Sequence, residues 1–220
     1  MRLALLAPAL STTLIGAGAV PAPAPAQTQG TSAPAPQATI ARVGVAKKRI
    51  NIRAGRRTTV AGTVRPAAAG MRASLQMRRG GRWRTIDRDR TGSAGRYVLR
   101  DRRHRPMSAS ARVLVRGGGE QVTRRLGRLN VYRVALASWY GPGLYGNRTG
   151  CGGRLSYGKL GVAHKTLPCG TKVTLRHRGR KTRVRVIDRG PYVGAREYDL
   201  TEATARKLRF RGHGGIQTTR

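Results

Sequence analysis

Between Ile50 and Val131, apolar residues recur at every second position with arginine between them, and the runs are broken by Gly and Pro. Five segments carry the pattern: Thr58 to Val64, Ala73 to Met77, Trp83 to Ile86, Arg96 to Arg100 and Ala111 to Arg116. A period of two buries one face of a segment and leaves the other in water, which an antiparallel strand can do and a helix cannot. The chain is therefore expected to be all-β, and short strands at this spacing predict a sandwich of two sheets. Asp87, Asp89 and His104 sit among arginines in this stretch, so ion pairing rather than catalysis is the expectation for them.

The ends of the chain bound this domain differently. Met1 and Arg2 precede an uncharged apolar and small-residue stretch from Leu3 to Val20, followed by Ala17-Gly18-Ala19 and Ala24-Pro25-Ala26 as candidate cleavage patterns. This reads as an export signal over 1–26. An uncleaved anchor is the alternative, since about 18 apolar residues can just cross a bilayer; Pro8, Gly16 and Gly18 disfavour it. Pro21 to Gln37 alternates Pro with Ala and adds Gln, Thr and Ser, a composition that cannot bury a core, so an extended Pro/Ala-rich spacer is expected over 27–45. With 220 residues, two folded units follow, a sandwich over 46–132 and a second unit over 135–220. An exported chain meets an oxidising compartment, so Cys151 and Cys169 are expected to form a disulfide. Two cysteines without a nearby His pair are too few for a zinc site, and no metal is expected.

A formal charge of +37 comes from 45 Lys and Arg against 8 Asp and Glu. Such a chain seeks polyanions. The cations are not gathered on one segment: residues 38–133 hold 26 basic and 4 acidic residues, and 134–220 hold 18 and 4. A specific nucleic-acid binder concentrates its arginines and interleaves aromatics. That partner is therefore not expected, whereas anionic wall polymers remain a candidate beside a plain compositional bias.

Chemistry enters in the last third. Ala137-Ser138-Trp139-Tyr140-Gly141, Gly161 to Thr171 (GVAHKTLPCGT), Val186 to Tyr192 (VIDRGPY) and Tyr198-Asp199-Leu200-Thr201 follow one another within about 65 residues. The expected hairpin of Lys172 to His177 and Lys181 to Ile187 turns at Arg178-Gly179-Arg180. It sets Val173 and Leu175 against Val184 and Val186, and the period of two continues to Asp188 on the same inward face. The same count puts His164 in phase with Leu160 and Val162. An acid and an imidazole would then each emerge from the apolar face at a strand end, where partial burial raises a carboxyl pKa and suits proton donation near neutral pH. Taken alone, Asp188 could cap a turn, His164 could be a hydrogen-bonded structural residue, and Tyr140, Tyr145 and Tyr192 could pack the barrel or stack on sugar rings. Asp199-Leu200-Thr201-Glu202 reads as the start of a helix with Leu200, Ala203, Thr204 and Leu208 on one face.

These four motifs resemble the six-stranded double-psi β-barrel of the RlpA-like (rare lipoprotein A) family, related more distantly to expansins. Arg78-Arg79-Gly80-Gly81-Arg82-Trp83-Arg84 likewise resembles the hairpin of bacterial extracellular immunoglobulin-like modules, so the sandwich is expected to be immunoglobulin-like. The barrel resemblance implies a monomeric, cell-wall-associated lytic transglycosylase, a carbon-oxygen lyase. It would cut peptidoglycan glycan strands between N-acetylmuramic acid and N-acetylglucosamine and leave anhydromuramic ends. It implies no cofactor, Asp188 and His164 as catalytic residues, and Tyr140, Tyr145, Arg189, Tyr192 and Asp199 as substrate-binding residues. Where the family carries an acidic residue after Ser-Gly, this chain has Thr149-Gly150-Cys151-Gly152-Gly153, with Gly153 at that position. An expansin-like module that holds or loosens the wall without cleaving it is the alternative.

Overall fold

The computed structural model describes residues 39, 40 and 42–220; the export signal and most of the spacer lie outside them. The first eight strands are β1 (Arg42–Arg49), β2 (Asn51–Arg53), β3 (Arg57–Arg65), β4 (Arg72–Arg79), β5 (Arg82–Arg90), β6 (Arg96–Arg102), β7 (Met107–Gly117) and β8 (Glu120–Tyr140). The five segments of alternating sequence are the cores of β3 to β7. Strands β1, β3 and β6 form one antiparallel sheet. Strands β5, β4, β7 and β8 form another, to which β2 adds in parallel along β8.

The inward residues of both sheets make one core. Val43, Val60, Val64, Tyr97 and Leu99 from the first sheet meet Leu75, Val113, Val115, Leu129 and Val131 from the second. Tyr97 is buried at 1% exposure and donates its hydroxyl to Gly44 O at 2.7 Å, and desolvation pushes its pKa up to about 12. Gly62 must be glycine here, because a Cβ would lie 1.9 Å from Gly44 O and 2.7 Å from the Tyr97 hydroxyl.

Strand β8 does not stop between the two halves. Its 21 residues run from the second sheet straight into a six-stranded ring, so no loop separates Tyr132 from Ala135. Alternation explains the continuity: Ala135 and Ala137 are buried while Val134 and Leu136 are about half exposed. The ring's other members are β9 (Val162–His164), β10 (Lys172–His177), β11 (Arg180–Asp188), β12 (Tyr198–Thr201) and β13 (Gly214–Thr218). It closes in the order β8, β13, β10, β11, β9, β12 and back to β8, with β8–β12 and β9–β11 parallel. Closure leaves no free edge.

Inside the ring sit Val162, Val173, Leu175, Val184, Val186, Tyr198, Leu200 and Ile216. The β10–β11 hairpin has the expected pairing, Val173 opposite Val184, with His177 and Arg180 closing a two-residue turn. The helix α1 (Glu202–Leu208) starts two residues later than a cap at Asp199 would place it: Thr201 is the N-cap and accepts from Thr204 N. Ala203, Thr204, Ala205 and Leu208 are its buried residues.

Candidate active site

The end of β11 holds the site because the strand is irregular there. Val186 pairs with Val162, but the next pair is Asp188 with Ala163, so Ile187 is an extra residue in a bulge. The strict period of two expected Asp188 on the inward face with Val184 and Val186. The bulge instead sets it beside Ala163, whose other neighbour across the ring is Asp199 on β12. Asp188, Ala163 and Asp199 line one cavity of about 390 Å³, with Tyr140, Thr149, Arg189, Tyr192 and Arg196 around them. Alanine at the middle position leaves open space between two carboxyl groups.

The two acids have different surroundings. Asp188 Oδ1 accepts from Gly150 N at 2.6 Å and Arg189 N at 2.8 Å, and Oδ2 accepts from the Tyr140 hydroxyl at 3.1 Å. Three donors thus converge on its two oxygens. The Tyr140 hydroxyl stays protonated, since burial first and the Asp188 charge second push its pKa well above the ordinary phenol value. Asp199 is half-buried and has a single side-chain donor, Ser138 Oγ at 2.9 Å, itself held by Arg196 at 3.0 Å. Burial raises the Asp199 pKa; the Ser138 bond and Arg196 oppose this, and the Asp188 charge adds to it. The acid held closest to its protonated form by burial is thus Asp199.

His164 stands apart from this cavity. It pairs with Tyr198 across β9 and β12, and its ring packs edge-on against Tyr198 with centroids 4.9 Å apart. Its Nδ1 accepts from Thr166 N at 3.1 Å and Leu167 N at 3.0 Å, which places any ring proton of the neutral form on Nε2. Burial lowers its pKa; Glu197 pulls it back up, and Arg133, Arg189 and Lys165 add to the lowering. Arg189 fastens the same loop, donating to His164 O at 3.2 Å and Leu167 O at 2.8 Å, with a further contact to Cys169 Sγ at 3.1 Å.

Cys151 and Cys169 are bonded to one another. The bridge lies next to Gly150, whose N–H reaches Asp188, and Cys151 N donates to Ile187 O at 3.2 Å. Gly153 has φ +78°, a conformation that side-chain-bearing residues rarely adopt. Residues 133–219 match the family model described as lytic transglycolase. The matched stretch is the six-stranded ring.

Curated relatives named endolytic peptidoglycan transglycosylase RlpA are similar to part of this chain. The probable RlpA of Synechocystis sp. is 39% identical over 114 residues, covering 44% of this chain and 36% of that one. The Campylobacter jejuni protein is 45% identical over 75 residues, 33% of this chain and 27% of its own. The Neisseria meningitidis serogroup A protein is 34% identical over 126 residues, 56% and 51% respectively. The chain therefore spans between about a quarter and a half of these relatives' lengths.

Among the expected substrate-binding residues, Tyr140, Arg189, Tyr192 and Asp199 line the cavity. Tyr145 does not: its hydroxyl donates to Glu202, and its ring meets Tyr157 edge-on at 6.0 Å. Ser138, Ala163, Gly150 and Arg196 were not singled out from sequence. Ser138 and Ala163 lie inside quoted motifs, and only the pairing of β8, β12 and β9 reveals that they face Asp199. Among the described residues no group of three or more His, Cys, Asp or Glu is clustered as a metal site would require. No described helix is long and apolar enough to cross a membrane.

Proposed function

We propose that this protein is a peptidoglycan lytic transglycosylase acting outside the cytoplasm, with its site in the cavity between Asp188 and Asp199. The observation that carries the reading is this pair of carboxyls in unlike environments, separated by Ala163, in a stretch that matches the lytic transglycolase family. Burial raises the pKa of Asp199, which suits it to proton donation.

The proton inventory follows from the geometry. Asp199, favoured in its protonated form by burial, donates to the glycosidic oxygen as the bond to C1 of N-acetylmuramic acid breaks. Asp188, oriented by its three donors, faces the positive charge that develops at C1. The sugar's own C6 hydroxyl then bonds to C1 and its proton returns to Asp199, giving the anhydro end without consuming water. The family resemblance implied Asp188 and His164 as the catalytic residues; here Asp199 carries both proton transfers, Asp188 faces the developing charge, and His164 positions the loop that Arg189 grips. Tyr192, 76% exposed at the cavity mouth, offers a ring for sugar stacking.

Residues 46–132 are proposed as an immunoglobulin-like module that retains the chain at the wall, joined without a flexible hinge through β8. The non-catalytic, expansin-like alternative rests on Gly153, whose left-handed backbone stands where the family carries its acid.

The deciding experiment is mass spectrometry of soluble products after incubating the full chain with purified peptidoglycan, alongside Asp188→Asn, Asp199→Asn and His164→Gln. Anhydromuramyl products from the wild type, lost in both Asp variants and reduced in the His variant, are expected. If the wild type releases none while sedimenting with the wall, the catalytic reading fails and the binding reading stands.

A further inference from the structure

A second concave site lies away from the carboxyls, at the seam between the sandwich and the ring. It is a cleft of about 570 Å³ lined by nine Lys or Arg side chains, drawn from both halves of the fold. Arg78 comes from the end of β4, Arg103 and Arg105 from the β6–β7 connection, Arg128 from β8, and Lys172 and Arg183 from β10 and β11.

The general basicity of the chain does not account for this arrangement. All eight Asp and Glu side chains of the sequence have identifiable places, and of these only Asp101 is paired with a cleft cation, Arg103 at 2.9 Å. The others serve elsewhere. Asp87 and Asp89 accept from Arg100 N and Val98 N, Glu120 accepts from Ile40 N, and Asp188, Glu197, Asp199 and Glu202 belong to the ring. The remaining cleft cations make no ion pair with an Asp or Glu among the described residues.

One of them is fixed in place by neutral groups. Arg128 donates through Nε to Ser108 Oγ at 2.8 Å and through a terminal nitrogen to Ser108 O at 2.7 Å. Ser108 Oγ in turn donates to Asn130 at 2.6 Å and contacts Thr174 Oγ1 of the ring at 3.4 Å. Its guanidinium is therefore oriented but not neutralised, and burial followed by the Arg183 charge disfavours its charged form. A concave, like-charged wall focuses potential and rewards an anion that enters it.

We propose that this seam cleft binds a phosphodiester-linked polyol chain, the anionic polymer type of a bacterial wall, and so holds the ring at its substrate. Fixed guanidinium forks suit phosphate oxygens. The lining residues include no Trp, Tyr or Phe, and His104 is their one aromatic ring, so a run of stacked nucleic-acid bases or sugar rings has little platform there. The choice of a wall polymer over other polyanions rests on the wall-directed reading of the ring.

The test is titration of the full chain with poly(glycerol phosphate) at several salt concentrations, beside two triple variants. One is Arg105→Gln, Lys172→Gln, Arg183→Gln in the cleft; the other is Lys47→Gln, Arg65→Gln, Arg124→Gln on exposed strand positions that do not line it. The cleft triple is expected to bind at least tenfold more weakly, with a slope of log affinity against log salt flatter by roughly 2–3, and the control triple to change less than twofold. Equal losses in the two triples would overturn the site, since charge alone then explains binding. So would tighter cleft-dependent binding of a single-stranded oligonucleotide of equal phosphate number, or no binding of the polyol chain by the wild type. Release of anhydromuramyl products from peptidoglycan stripped of such polymers is expected to be unchanged by the cleft triple. Loss of catalysis in the wild type with binding intact would refute the enzymatic reading and leave the cleft standing.

Discussion

Removing the Cys151–Cys169 bridge by a double change to Ala should separate how this disulfide supports the fold from how it supports the site. The cross-link closes a loop of sequence separation 18, and the chain-entropy relation gives about 3 kcal/mol for a loop of that size. A unit of roughly this length loses about 2–4 °C of Tm per kcal/mol, so a fall of roughly 6–12 °C is expected. The site should suffer as well. Gly150, next to Cys151, donates the 2.6 Å bond to Asp188 Oδ1, and a hydrogen bond to a charged group is worth about 1.5–3 kcal/mol. Anhydromuramyl release measured well below the variant's Tm should therefore drop by at least tenfold. The assays are thermal melts by circular dichroism and product release at 20 °C, with dithiothreitol-treated wild type as a second route to the open bridge. A Tm within 2 °C of wild type would show that the loop is ordered by its backbone bonds, including Cys151 N to Ile187 O. An unchanged rate would show that the Gly150 donor is positioned without the bridge.

Asp199 should impose a pH dependence of definite sign. Its folded pKa lies above the ordinary 3.8 because burial penalises the charged form, so the native state holds the proton more tightly than the unfolded chain. Its stabilising contribution is lost as pH rises through the folded pKa. Asp199→Asn is expected to raise Tm at pH 7, with the difference shrinking at pH 3, while abolishing product release. Tyr140→Phe removes one of three donors to Asp188, and product release should fall about tenfold with a Tm change of under roughly 3 °C. Gly62→Ala forces a Cβ to within 1.9 Å of Gly44 O, and the variant should be largely unfolded by circular dichroism. The bidentate Arg133–Glu197 pair, at 2.8 and 2.5 Å, is about one-third exposed on each side. Glu197→Gln should therefore cost at most about 1 kcal/mol in urea denaturation, less in high salt.

The strands were legible because burial of one face writes itself as alternation, and β3 to β7 and the β10–β11 hairpin follow that record. The helix was legible through its cap and apolar stripe, apart from the choice of Thr201 over Asp199 as the N-cap. Asp188 and Asp199 could be singled out within their motifs, but their relation to one another could not be read. Period counting is local and assumes a regular strand, whereas the extra residue at Ile187 changes the register of β11 against β9 without leaving any mark in the alternation. That one bulge moved Asp188 away from the face of His164 and toward Asp199.

The sequence by itself determined the all-β character, the basic surface and the acid-bearing motifs, because each depends on residue types and their spacing. The closing of six strands into a ring, the pairing of two carboxyls across Ala163 and the cationic seam depend on contacts between residues far apart in the chain. Those contacts are set by sheet register and ring closure, and only the tertiary structure decided them.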